Sequence, residues 1–195
     1  MKRMLYTLVL TAAASLALAL GASAQMMGGG TGNNNPMVGG APMYKTKNIV
    51  ENAMNSADHT TLVAAVKAAG LVETLQGKGP FTVFAPTNAA FDKLPAGTVE
   101  TLLKPENKAT LTKVLTYHVV AGSYDSKRLM QLIKKGGGRA VLKTVSGGTL
   151  TARPNPAGDG ITLTDEKGGT SNVTIADVYQ SNGVIHVIDT VVMPR

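Results

Sequence analysis

Cysteine is absent from this 195-residue chain, and that absence removes several chemistries at once. No disulfide can staple the fold, no thiolate can hold a metal or act as a nucleophile, and no lipid can be attached to a cysteine behind an export signal. Tryptophan is absent too and aromatics make up 4% of residues, which leaves little for nucleic-acid bases to stack on. The formal charge of +7 is a modest excess, so anionic surfaces and glycans are favoured only weakly and a nucleic-acid partner is not expected. Beyond the first 24 residues nothing approaches the roughly 18 consecutive apolar residues that would cross a bilayer. Stability must come from a packed core, and residues 44–195 suffice to bury one as a single domain.

The N-terminus carries what the rest lacks. Met1-Lys2-Arg3 precedes an apolar run from Leu8 to Leu20, followed by Ala22-Ser23-Ala24, the three-part layout of a secretory signal over residues 1–24. A membrane anchor is the competing reading, since no charge occurs between Met4 and Tyr44. The Ala- and Ser-rich run, its small-residue end and the lack of a following basic cluster favour cleavage near Ala24 and a secreted or periplasmic product. Losing Lys2 and Arg3 would lower the charge to +5. Residues 25–43 follow, with Gly, Asn and Pro at 11 of 19 positions, and read as a flexible spacer. Met26, Met27, Met37 and Met43 are thioethers of the kind a soft metal takes, but filler is the favoured reading because no histidine lies near.

From Ser56 the pattern turns helical. Ser56 or Asp58 is available as N-cap, Leu62 and Val66 share a face, and Gly70 supplies a stop. Val99, Leu102 and Leu103, then Leu111, Val114 and Leu115 after Pro105, then Leu129, Leu132 and Ile133 after Asp125 or Ser126, repeat the i, i+3, i+4 spacing. Strand-like runs at 81–84, 140–145, 150–153, 161–164, 173–176 and 184–188 are punctuated by Gly pairs and Asn182-Gly183. Helices first and hairpins last define an α+β domain, not a βαβ nucleotide fold.

Catalytic chemistry finds little support. His59, His118 and His186 lack metal-ligand spacing, and no G-x-S-x-G surrounds a serine. Asp165 and Glu166 read as a solvated hairpin turn. Gly70 to Gly79 lacks the spacing and the Ser/Thr of a phosphate loop, and Asn172-Val173-Thr174 matches a glycosylation acceptor by pattern alone. The most uneven charge is the run Lys127, Arg128, Lys134, Lys135, Arg139 and Lys143, which contains no acid. Lys134 and Lys135 before Gly136-Gly137-Gly138 suit a helix C-terminus, which is the favoured account; an anionic-glycan or headgroup site is the alternative.

Three segments are more specific than their periodicity: Phe81 to Phe91 (FTVFAPTNAAF), Tyr117-His118 within LTYHVV, and Asn182 to Pro194 (NGVIHVIDTVVMP). In order and spacing they resemble the two conserved blocks and the intervening Tyr-His pair of the fasciclin domain, over about residues 48–194. The resemblance implies an α+β wedge with a β-sandwich-like core of about seven strands flanked by short helices. It also implies a non-enzymatic adhesion module without cofactor. In some animal members the Tyr-His pair and an Asp-Ile pair are linked to integrin binding; the matching positions are Tyr117-His118 and Asp177-Val178, with valine replacing isoleucine. From the residues alone, Tyr117 and His118 read first as buried and hydrogen-bonded, with strand alternation placing His118 beside Val120 and Tyr117 beside Val119.

The leading expectation is an exported module that contacts a cell-surface or matrix protein or polysaccharide, or a biofilm component, as a monomer or weak oligomer. A binder of a small apolar ligand, or of an anionic glycan through residues 127–143, stands second. A secreted hydrolase stands third.

Overall fold

Residues 35–195 are described by the computed structural model of the chain; the expected signal, its cleavage point at Ala24, and Met26 and Met27 lie outside them. The end of the expected spacer is part of the fold. Met37–Val38 (β1) pairs antiparallel with Ala41–Pro42 (β2), and Val38 and Met43 are buried at 3% and 2% exposure. The spacer reading is corrected from there: high Gly and Pro content marks a tight turn here, and the apolar residues flanking it reach the core. Gly39 sits at φ 57° against Ser56, where a Cβ would lie 2.3 Å from Oγ, so this approach needs glycine.

The N-terminal half is mainly helical. Asn48 opens α1 (Ile49–Ala53) with a capping box shared with Glu51. A 3₁₀ turn (Ala57–His59) leads into α2 (Thr60–Ala69), which buries Leu62, Ala65, Val66 and Ala69 and ends at Gly70 with φ 72°. Neither expected cap, Ser56 or Asp58, performs that task. Ser56 Oγ lies 2.8 Å from His59 Nδ1, and Asn88 Oδ1 instead accepts from Thr61 N–H at 3.0 Å, so a distant residue caps α2. Then come α3 (Val72–Gln76), β3 (Phe81–Pro86), α4 (Asn88–Asp92), capped by Thr87, and α5 (Thr98–Leu103). A 3₁₀ turn (Pro105–Asn107) starts the approach to α6 (Lys108–Tyr117).

The C-terminal half is mostly sheet. β4 (Val119–Ala121) is followed by α7 (Ser126–Lys135), which Asp125 caps by accepting from Arg128 N–H, and by β5 (Ala140–Lys143), β6 (Thr149–Pro154), β7 (Ile161–Thr164), β8 (Thr170–Gln180) and β9 (Gly183–Ile188). Seven strands form one sheet in the order β4-β3-β9-β8-β7-β6-β5, with β3 and β9 parallel and the other neighbours antiparallel. Its two ends meet through a bridge between Val120 and Thr144 and a 2.8 Å bond from Val145 N–H to Val119 O, so the sheet nearly closes into a barrel. The expected α+β class holds, with the layered strands arising from one sheet curled on itself.

Alternation along β3 and β9 divides the apolar residues into two cores. Val83, Ala85, Ile185 and Val187 face the helices, where Val50, Leu62, Val66 and Leu115 cover them. Phe84 and Ile188 point into the barrel with Leu142, Leu150 and Leu163, and Leu129 and Ile133 of α7 pack into the same cluster.

Candidate interaction surface

Helical geometry at His118, with φ −81° and ψ −2°, keeps the Tyr-His pair from alternating as a strand would. Tyr117 therefore joins Val120 in the barrel core, while His118 lines the helix-side cleft with Val119, which reverses the expected partners. Both are buried, at 0% and 3% exposure. The Tyr117 hydroxyl donates to Thr149 O at 2.6 Å and accepts from Glu166 N–H at 3.1 Å. Burial pushes its pKa up to about 12. His118 Nδ1 lies 2.8 Å from Val114 O and Nε2 lies 3.3 Å from Val192 N–H. A carbonyl requires a donor at Nδ1 and an amide an acceptor at Nε2, which assigns the neutral Nδ1–H tautomer. Burial lowers its pKa to about 4, because the charged ring would lose solvation.

Asp177 and Val178 occupy a bulge in β8. Register shifts there between Ile175 and Val178, Asp177 adopts φ 61°, and Val178 is 1% exposed. The Asp177 carboxylate accepts from the Ser126 hydroxyl and, at 2.6 Å, from Ser126 N–H at the start of α7, where the helix dipole favours an anion. Its own N–H faces His186 Nδ1 at 3.4 Å, and His186 Nε2 donates to Tyr124 O at 2.7 Å. His186 is fully buried and stacks on Phe84 with ring centroids 5.6 Å apart; burial lowers its pKa. This chain of contacts links the barrel interior to the N-terminus of α7. The one sequence signal for it was a carboxylate interrupting an otherwise β-prone run.

The motif blocks have comparable structural work. Asn88 caps α2, as described, and Asn182 receives Ile49 N–H at 3.0 Å while donating to Leu75 O at 2.7 Å, joining α1, α3 and β9. Asp165 also departs from expectation. It is 9% exposed and accepts from Gly169 N–H and Met193 N–H, so the Asp165-Glu166 turn anchors the C-terminal segment instead of standing in solvent. Ser56 and His59, in contact but each 3% exposed, offer no open nucleophile; burial lowers the His59 pKa.

The basic run remains at the surface. Lys127, Arg128, Lys134 and Lys135 on α7, Arg139 in the following turn and Lys143 on β5 are all exposed, and among the described residues the single ion pair is Lys93–Asp189, elsewhere. Arg128 lies over the Tyr124 ring at 4.6 Å and donates to Ser123 O at 2.9 Å, a position that Tyr124, Leu132 and Lys143 share along one groove. Tyr117, His118 and Val178, being buried, do not reach that surface, and Asp177 meets α7 only at its first residue, Ser126. No group of three or more His, Cys, Asp or Glu side chains among the described residues is arranged to hold a metal ion.

A parallel β3/β9 pair at the heart of a nearly closed sheet, with helices on one face, defines an α+β wedge. The fasciclin-domain family matches residues 57–194, and the chain belongs to that family. It is 48% identical over 148 residues to protein sll1483 of Synechocystis, covering 75% of this chain and 73% of the relative. It is 39% identical to immunogenic protein MPB70 of Mycobacterium bovis, covering 73% and 66%, and 36% identical to the cell surface glycolipoprotein MPB83 of the same species, covering 73% and 58%. The fold is shared with a FAS1 domain pair from the insect cell adhesion molecule fasciclin I, with a TM-score of 0.65, 20% identity, and coverage of 74% of this chain and 50% of that one.

Proposed function

We propose that this chain is an exported, non-enzymatic adhesion module that binds anionic cell-surface, matrix or biofilm components through α7 and β5, without a cofactor. The observation that carries the reading is the set of six exposed cations on these two elements and the turn that joins them, with no ion pair to any acid among the described residues. Membership of the fasciclin family and the surface location in the name of MPB83 support it. No helix among the described residues is long and apolar enough to cross a membrane, which suits release after cleavage near Ala24. Weak single contacts would act through many copies on a surface.

Retention on heparin and on native envelope material tests the reading, comparing the chain with a variant carrying Gln at positions 127, 128, 134, 135, 139 and 143. Binding should weaken by more than about tenfold and should fall with added salt. Equal retention by the variant contradicts it.

A second reading has its own observation. An apolar cleft of about 40 Å³ between the helices and β3 is lined by Val50, Leu62, Val66, Leu75, Val83 and His118, among others. A saturable apolar ligand that raises the melting temperature, and loses that effect when Val66 is enlarged, would favour it.

A further inference from the structure

Apolar side chains left in solvent stand among the cations of this face. Val141 and Val145 are 63% and 49% exposed, and they flank the exposed Lys143 on the outward side of β5 and its extension, since alternation turns Ala140, Leu142 and Thr144 inward. Between them and α7 runs a groove of about 540 Å³, which Tyr124, Arg128 and Leu132 line from the other side. Arg128 is held there, 4.6 Å over the Tyr124 ring and bonded to Ser123 O. Positions 128, 132 and 135 share one stripe of the helix, so Lys135 extends the cationic rim. Residues 126–154 contain seven cations and no acid. Glu166, which reaches Thr149 on β6, is taken up by the N–H groups of Thr149 and Arg195.

We propose that this face docks the protein on an anionic lipid surface, with Val141 and Val145 entering the boundary between headgroups and acyl chains while Arg128, Lys135 and Lys143 meet the headgroup anions. Exposed apolar side chains ringed by cations match both layers of a bilayer interface. An anionic polysaccharide answers the cations alone and leaves the valines in water. A second copy of this chain is the poorer occupant, because it would set like charges against each other with no acid between them. Two valines insert little area, so attraction depends on the headgroup charge and falls with added salt. Docking is peripheral: no helix among the described residues is long and apolar enough to cross a membrane. The proposal rests on the adhesive reading of the α7–β5 face and names lipid as its anionic component.

The test is co-sedimentation with vesicles of phosphatidylglycerol and phosphatidylcholine in equal parts, and with vesicles of phosphatidylcholine alone, with heparin retention measured in parallel. Residues 34–195 form a compact unit of their own, so residues 25–195 are used, free of the apolar run from Leu8 to Leu20. Binding to the anionic vesicles should exceed binding to the neutral ones by more than about tenfold, and should weaken by about tenfold or more in Arg128→Gln/Lys135→Gln/Lys143→Gln. Val141→Ser/Val145→Ser, which keeps every charge, should weaken vesicle binding by about tenfold and leave heparin retention unchanged, which also reports that the variant is folded; Val141→Leu/Val145→Leu should tighten vesicle binding. Equal vesicle binding by the serine and leucine variants overturns the proposal, because the contact is then electrostatic only. Heparin retention that depends on the cations, with no vesicle binding, overturns the lipid and leaves the adhesive surface standing. Absence of binding to either removes both.

Discussion

The two cores flanking β3 and β9 differ in how they are finished. Inside the barrel, Phe84, Leu129, Leu150, Leu163 and Ile188 are all at 0% exposure, and the polar groups among them, His186 and the Tyr117 hydroxyl, are hydrogen-bonded. On the helix side, Leu62, Val66, Leu75 and Phe91 retain 8 or 9%, a cleft of about 40 Å³ remains, and the buried His59 Nε2 has no partner. Short helices cannot cover a sheet face without gaps, whereas a curled sheet surrounds its interior. The barrel also holds α7 at a fixed position through Asp177 and Ser126, and α7 carries the cations. The rigid core thus bears the proposed binding surface, and the looser one lies on the opposite face of the same strands.

Truncation should separate the cores most strongly. Phe84→Ala removes a fully buried ring and its stack on His186, and should cost about 3–5 kcal/mol in urea unfolding. Leu75→Ala, beside a cleft that is already partly empty and open, should fall at the low end of the Leu range, about 2–3 kcal/mol. Equal costs would break the comparison.

Acid comes next. An unfolded His118 takes up a proton near pH 6.5, whereas the folded ring does so only near 4, so the folded state is short of a proton between those values. Stability is therefore full above about pH 7 and declines as pH falls to 4, by on the order of 3 kcal/mol from this group, with His186 and His59 adding in the same direction. In His118→Gln, unfolding measured from pH 4 to 7 should show a shallower slope on a lower plateau.

Asp177→Ala should cost about 2–3 kcal/mol, since it strips the α7 N-terminus of a charged acceptor and leaves an alanine at positive φ; Asp177→Asn, which tolerates that φ, should cost about half as much. Hydrogen exchange should quicken at α7 and not at α1 or α2. The smallest effect belongs to Lys134→Gln/Lys135→Gln at the C-terminus of α7, about 0.3–1 kcal/mol at low salt and less at high salt, because neither side chain touches a core.

Much of this architecture was legible in residue patterns. The apolar stripes of α2, α5, α6 and α7 and the alternation of β5 to β7 report local burial, which periodicity reads directly. The fasciclin blocks located β3 and β9 but not their purpose: Asn88 and Asn182 act on α2, α1 and α3, far away in sequence, and no local pattern encodes such caps. β1 and β2 escaped notice because two-residue strands carry no period. The cations were visible as a run. The groove was not, since it arises where β4 ends at Ala121 and leaves Val141 of β5 beyond its reach, and the buried positions of Tyr117, His118 and Val178 depend likewise on a helix end and a bulge.

The central claim is that binding is confined to the face carried by the barrel. Hydrogen exchange of the full chain with and without heparin tests it most directly. The account predicts slowed exchange within residues 126–145, with α1, α2 and α3 unchanged; protection confined to those three helices would contradict it.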